Sequence, residues 1–277
     1  DEKNNKSSLT MLLRVGGGQS AHGLQEGIHW HMNIANDIYY ASTDESRQVI
    51  EWVKSINKET GEETIYRLKD KNVPTPPEDK IRKMDCIDCH NRPAHIYKEP
   101  RRMVNLQMEM GEIDTSLPFI KSVSVQALEG EYKTKDEAQK GIGTFITNFY
   151  KANYPDLAVS RSKDINKAIK AVRELYAVNY FPEMKVSWRH YPNNLGHLNY
   201  DGCYRCHDGK HVSSTGKKIT NDCNSCHILL AQKIPGKPEQ ISLSGLKFEH
   251  PGGISISLEN QKCSDCHGIP YKVIKEE

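Results

Sequence analysis

Residues 202–211 read Gly202-Cys203-Tyr204-Arg205-Cys206-His207-Asp208-Gly209-Lys210-His211, and the five from Cys203 to His207 decide how the rest is read. The same Cys-x-x-Cys-His pattern returns at Cys86-Ile87-Asp88-Cys89-His90, Cys223-Asn224-Ser225-Cys226-His227 and Cys263-Ser264-Asp265-Cys266-His267. These four motifs use all 8 cysteines of the 277-residue chain. Zinc sites and redox dithiols also employ paired cysteines, but neither requires a histidine after every second one. With 12 histidines in 277 residues, four such coincidences have a probability of roughly 3 in a million. The five-residue pattern is the attachment signature of haem c. Its two thiols add across the vinyl groups of one macrocycle, and the adjoining imidazole takes an axial position on the iron. The expected cofactor is therefore four covalently attached haem c groups, with His90, His207, His227 and His267 as proximal ligands.

Eight further histidines remain: His22, His29, His31, His95, His190, His197, His211 and His250. They are enough to cap every iron on its second face. His95 lies five residues after His90, and His211 lies four after His207. A tether that short cannot wrap around its own ring, so both are expected to ligate a neighbouring haem. His197, six residues before Cys203, and His250, ahead of the last motif, are expected as distal ligands too. His29 and His31 flank Trp30. In an extended strand both would point to one face, so one of them is expected to reach an iron, with His29 preferred. His22 and His190 read as ordinary residues. The methionines between Met103 and Met110 read as the apolar face of a helix.

The first 72 residues read as a β-rich segment, with a small meander built from Ile38-Tyr39-Tyr40, Val49–Val53 and Thr64–Tyr66 around a turn at Glu59-Thr60-Gly61. Residues 1–10 are polar and read as loose. Residues 73–189 carry the first motif and a helical insert. There Thr134 and Glu137 suggest a capping box, and Ala138, Ile142, Phe145, Ile146 and Phe149 recur at helical spacing. Asp164 is expected to cap a second helix bearing Ile165, Ala168, Ile169, Val172 and Tyr176. Residues 190–277 hold three motifs and little expected regular structure. The fold class is thus mainly α and irregular, organised by haem, with a small N-terminal β-meander. Only 36% of residues are hydrophobic, so macrocycles as core material would suit the composition. A formal charge of +2 makes no case for nucleic acid. No stretch approaches the roughly 20 apolar residues of a spanning helix. The chain opens on Asp1 rather than Met and reads as a mature or trimmed product.

The chain resembles multihaem c-type cytochromes of the NapC/NirT-like kind. The likeness is carried by Met84-Asp85-Cys86-Ile87-Asp88-Cys89-His90-Asn91-Arg92-Pro93-Ala94-His95, by Tyr191-Pro192-Asn193-Asn194-Leu195-Gly196-His197 and by residues 202–211, more weakly by Gly27-Ile28-His29-Trp30-His31. It covers most of residues 27–227. It implies low-potential bis-histidine haems and electron relay in or beyond the periplasm. The N-terminal membrane helix usual in such proteins, and their further motifs, are not seen here. The expected function is electron transfer between other redox proteins, with no catalytic residue, in the periplasm or outside the cell. Two alternatives stand beside it. One is a subunit of an extracellular cytochrome filament or membrane-bound complex, in which a spare imidazole of His29-Trp30-His31 ligates the next copy. The other is a multihaem reductase of nitrite, hydroxylamine or sulfite, which needs an iron with an open position. Mass spectrometry of the denatured protein is expected to show four haems retained; loss of porphyrin on denaturation is the contrary result.

Overall fold

The computed structural model describes residues 2–16, 19–20, 23–24, 27–32, 36–90, 95–256 and 261–268. Its strands are β1 (Ser8–Leu13), β2 (Gln19–Ser20), β3 (Gly23–Leu24), β4 (Asn36–Ser42), β5 (Ile50–Asn57), β6 (Glu63–Leu68), β7 (Arg82–Lys83), β8 (His211–Ser213), β9 (His227–Lys233) and β10 (Gln240–Ile241). Its helices are α1 (Cys86–Cys89), α2 (Pro100–Glu109), α3 (Ile120–Leu128), α4 (Lys135–Asn153), α5 (Pro155–Ser160), α6 (Ser162–Asn179) and α7 (Cys263–His267). The chain divides into a helical unit, Asp1–Lys6 with Arg92–Pro192, and a sheet-bearing unit, Ser7–Asn91 with Asn193–Glu277. All four cysteine motifs lie in the second.

In the helical unit, Thr134 caps α4 by accepting the Glu137 N–H at 3.1 Å. Glu137 returns its carboxylate to the Lys133 N–H at 2.8 Å, one residue earlier than a full capping box requires. Ala138, Ile142, Ile146 and Tyr150 form the buried stripe of α4, while Phe145 is exposed. Helix α6 starts at Ser162, two residues before the expected cap. Asp164 sits inside its first turn and accepts from Arg161 Nε at 2.5 Å. Ile165, Ala168, Ile169, Val172 and Tyr176 are buried as expected, as are Met103 and Val104 on α2. Residues 2–6 are not loose. Asn4 Nδ2 donates to the Leu117 and Thr115 carbonyls at 2.8 and 3.0 Å, and Asn4 Oδ1 accepts the Lys121 N–H at 3.1 Å. One polar side chain thereby ties residues 2–6 to backbone groups at the start of α3.

In the sheet-bearing unit, β4, β5 and β6 form the expected antiparallel meander. The sheet then grows at both edges, to the order β7-β4-β5-β6-β8. Strand β8 joins through Leu68↔His211, Arg67↔Val212 and Tyr66↔Ser213. Divisions at 72/73 and 189/190 therefore cut across a continuous sheet, because its edge strands come from residues 82–83 and 211–213. One face buries Ile38, Tyr40, Ile50, Val53, Tyr66 and Met84, with Trp30, Cys206 and Ile219 packed against them. A second sheet, β1-β9-β10, pairs Leu13 with His227 of the third motif.

The two units differ in how much apolar side chain they bury. Among the described residues, the smaller helical unit buries 22 hydrophobic side chains and the larger sheet-bearing unit only 9. In the latter, Leu9, Met11, Leu12, Leu13, Leu243 and Ile254 are exposed. Side chains alone supply the helical unit with a core and leave the other short of one. Ile142 is fully buried, so Ile142→Ala is expected to cost about 3 kcal/mol. Denaturation followed by far-UV circular dichroism checks this, with the visible absorption spectrum unchanged.

Candidate functional site

Each motif folds as a single helical turn: α1, the 3₁₀ turn Gly202–Arg205, the 3₁₀ turn Cys223–Ser225 and α7. Asp85 caps the first, accepting the Ile87 N–H at 2.9 Å, and the Asp88 carboxylate accepts the Asp85 N–H at 2.8 Å. Asp222 caps the third by accepting the Asn224 N–H at 3.0 Å. The histidine follows one turn after the first cysteine, with His90 N–H on the Cys86 carbonyl at 2.8 Å and His207 N–H on the Cys203 carbonyl at 2.9 Å. Positions i, i+3 and i+4 of a turn share a face, so two thiols and one imidazole are presented together.

Opposite every motif histidine stands a second imidazole. The ring centroids of His29 and His90 are 6.4 Å apart with planes inclined by 29°. His197 and His227 are 6.2 Å apart at 27°, and His250 and His267 are 6.0 Å apart at 22°. His31 and His207 are 5.6 Å apart at 78°, their Nε2 atoms separated by 3.4 Å. A metal–imidazole nitrogen bond is about 2.0–2.1 Å. Two such bonds in line, plus the ring radii, bring centroids to about 6.3 Å. Three pairs lie within about 0.3 Å of that spacing; the fourth, at 5.6 Å, needs to open by about 0.7 Å. The residues thus fit an axially ligated iron in all four places.

The hydrogen bonds of these rings agree. His31 Nδ1 donates to the Ile28 carbonyl at 2.9 Å, His207 Nδ1 to the Thr220 carbonyl at 2.6 Å, and His250 Nδ1 to the Pro251 carbonyl at 2.6 Å. A carbonyl only accepts, so each of these rings is protonated on Nδ1 and offers Nε2 as a lone pair, the usual arrangement of a metal-ligating histidine. The Nδ1 of His197, by contrast, is buried without a hydrogen-bond partner. Burial holds His31, His197 and His207 below the ordinary imidazole pKa, which keeps them in the neutral, ligating form. Burial also pushes the Cys203 thiol up to about 11 and Cys206 to about 12. Zinc-bound or redox-active cysteines sit where thiolate is favoured. Among the described residues, no three His, Cys, Asp or Glu side chains converge as a metal site of their own.

Segment 194–206 joins the motifs to one another. Asn194 N–H donates to the Cys89 carbonyl at 3.0 Å and its side-chain amide to the Asp88 carbonyl at 3.2 Å. His197 faces the third motif. Asp201 accepts from Lys262 Nζ at 2.5 Å and Ser264 Oγ at 2.6 Å at the fourth. Arg205, buried inside the second motif, donates to the carbonyls of Gly202, Arg47 and Asp88 at 2.9, 2.8 and 2.7 Å. The Asp88 carboxylate, itself fully buried, accepts from Tyr40 Oη at 2.6 Å, Arg47 Nη1 at 2.8 Å and Arg82 Nε at 2.9 Å. Gly202 starts the second motif at φ +53°, where a Cβ would stand 1.5 Å from the Gly196 carbonyl oxygen.

The structure sets some of the histidines expected as distal ligands opposite a motif histidine and others elsewhere. His29, His197 and His250 each face a motif histidine. His211 does not: its Nδ1 pairs with Asp208 at 2.9 Å and its Nε2 with the Ile50 carbonyl at 3.2 Å, so both nitrogens are engaged in holding β8. His95 lies in the helical unit, its ring 4.6 Å from Tyr97 and 6.1 Å from Phe181. His31, the residue ranked behind His29, stands opposite His207. His29-Trp30-His31 is not a strand but part of a 3₁₀ turn, Ile28–Met32. With three residues per turn, positions two apart diverge by about 120°, and the two imidazoles meet two different motifs. His190 accepts the Ser187 N–H at 3.1 Å as an ordinary turn residue; His22 lies outside the described residues.

Over 272 residues, 96% of its length, the chain is 41% identical to the cytochrome c-type protein ImcH of Geobacter sulfurreducens. It spans about half, 52%, of that protein. No family model matches the chain, and no solved structure matches it. The likeness supports a c-type cytochrome. Gly202→Ala is expected to cost at least about 2 kcal/mol through backbone strain and the clash with Gly196. A lowered denaturation midpoint, with less fully haem-loaded protein recovered, is the readout.

Proposed function

We propose that this chain is a multihaem c-type cytochrome that carries four haem c groups, each iron between two histidines, and passes single electrons between redox partners. The observation that carries the reading is the set of facing pairs: His29 with His90, His31 with His207, His197 with His227 and His250 with His267. When bound, haem supplies a one-electron iron couple whose potential follows its axial ligands, burial and neighbouring charge. The chain does the rest. Paired cysteines fix each macrocycle, and Nδ1–H bonds to backbone carbonyls aim the imidazoles. Arg205 and Asp88 tie the first two motifs together.

The pairing leaves no axial position for a substrate, so the chain is an electron carrier and not a reductase. On this reading both His29 and His31 serve within the chain, which argues against a spare ligand of that turn joining one copy to the next in a filament. Bis-imidazole ligation favours the lower part of the haem potential range. Covalent haem attachment takes place outside the cytoplasm, which supports a periplasmic or extracellular location. No helix among the described residues is long and apolar enough to cross a membrane. Donor and acceptor are other redox proteins, in line with NapC/NirT-like respiratory cytochromes.

Substitution of distal residues tests the reading. Each of His29→Ala, His31→Ala, His197→Ala and His250→Ala is expected to convert one low-spin ferric haem into a high-spin haem by electron paramagnetic resonance, and to open it to cyanide. His95→Ala and His211→Ala are expected to leave all four low-spin. High-spin signals from His95→Ala or His211→Ala, with the other four silent, would overturn the assignment.

A further inference from the structure

Tyr204 occupies the second motif between Cys203 and Arg205. Its ring stacks on His197 with centroids 4.6 Å apart and planes inclined by 28°. His197 in turn faces His227 of the third motif. The Tyr204 phenol lies within electrostatic range of Cys223, Cys263, Cys203 and Cys226, which belong to the second, third and fourth motifs. Three of the eight facing imidazoles, His31, His207 and His250, are steadied by an Nδ1–H bond to a carbonyl, but the buried Nδ1 of His197 has no hydrogen-bond partner. The stacked phenol ring is what lies against it.

We propose that Tyr204 is the contact through which the second motif exchanges electrons with the third. The proposal rests on the haem-bearing reading above. The path needs one jump through space. From the macrocycle held by Cys203 it runs through the thioether and one peptide unit to Tyr204. It then crosses the ring stack to His197 and reaches the iron between His197 and His227. Electron tunnelling weakens far more steeply across gaps than along bonds, and this route crosses a single ring contact, 4.6 Å between centroids. With haem bound, one electron would be given up at the group held by Cys203, Cys206 and His207 and taken up at the group held by Cys223, Cys226 and His227, so that one is oxidised as the other is reduced. Tyr204 keeps its proton and its electrons and serves as a bridge. The second motif then becomes a junction, since Arg205 binds it to the first motif and Asp201 to the fourth.

The test uses the four-haem protein, its Tyr204→Phe and its Tyr204→Leu variants. A light pulse with an external photoreductant injects one electron, and its redistribution among the haems is followed by transient absorption. Tyr204→Phe keeps the ring and is expected to match the unaltered protein. Tyr204→Leu removes the stack and is expected to slow one intramolecular phase about tenfold. Potentials and low-spin resonance signals are expected to stay as they were. Unchanged kinetics in Tyr204→Leu would overturn the proposal, as would equal slowing in Tyr204→Phe. So would a high-spin haem in Tyr204→Leu, which would make the ring a mere prop for His197. Failure of the haem reading looks different: the unaltered protein would then show no bis-imidazole signals at all.

Discussion

Four imidazoles held about one ligand–iron–ligand span from four others are the constraint around which the sheet-bearing unit is arranged. Half of each pair comes without effort, because a histidine directly after Cys-x-x-Cys lands on the same face of one helical turn as the thiols. The other half has to be brought from elsewhere in the chain. The 3₁₀ turn of residues 28–32 delivers two at once, and it is fixed in turn by the extension of β1. Ile28 and His29 donate their N–H groups to the Arg14 and Val15 carbonyls at 2.8 and 2.7 Å. Arg14 N–H donates to the Cys226 carbonyl at 2.8 Å. The N-terminal strand therefore positions ligands for the first two motifs while being zipped to the third.

The complementary device is segment 194–206, a short run of chain that touches every motif. Its strength lies in buried polar groups that are satisfied. Arg205 is almost fully buried, yet its guanidinium meets three backbone carbonyls, and the buried Asp88 carboxylate is met by two arginines and a tyrosine. Left unpaired, groups of this kind would cost several kcal/mol each. Paired, they fix the spacing between the first and second motifs more narrowly than apolar contacts would, since hydrogen bonds constrain direction as well as distance.

The cysteine motifs, the histidine that closes each and the meander were all legible in the sequence, because each is a local pattern with a fixed spacing. The histidines that face the motifs were legible only in part. A short tether argued for His211, but it ignored Asp208 three residues before it, close enough to claim Nδ1 within one turn. A period-2 reading of His29-Trp30-His31 allowed only one ligand; a three-residue turn supplies two, and nothing in those residues alone chooses between the periods. The unit boundaries were hidden for a related reason. Strands β7 and β8 are two and three residues long, too short to leave a pattern, and they are what tie residues 36–68 to both flanks of the helical insert. Asn4 could not have been picked out of a polar N-terminus, since its partners lie more than a hundred residues away.

The distribution of buried apolar side chains gives an independent reason to place macrocycles in the sheet-bearing unit. The helical unit behaves as an ordinary small protein, with fully buried stripes on α3, α4 and α6. The other unit carries more residues and fewer than half as many buried hydrophobic side chains among those described. Every residue of β1 is exposed, and four of its six side chains are leucine or methionine. A unit with so little apolar interior among its described residues is hard to reconcile with a stable fold unless something else fills the space. Flat apolar macrocycles tethered at positions 86, 203, 223 and 263 would do so where the side chains do not. In that unit the cofactor and the core are then one thing. On the proposed reading the facing histidine pairs and their macrocycles would do the work that leucines and valines do in the helical unit, and the fold and the redox site could not be separated by mutation as cleanly as they can in an enzyme built on a pre-packed scaffold.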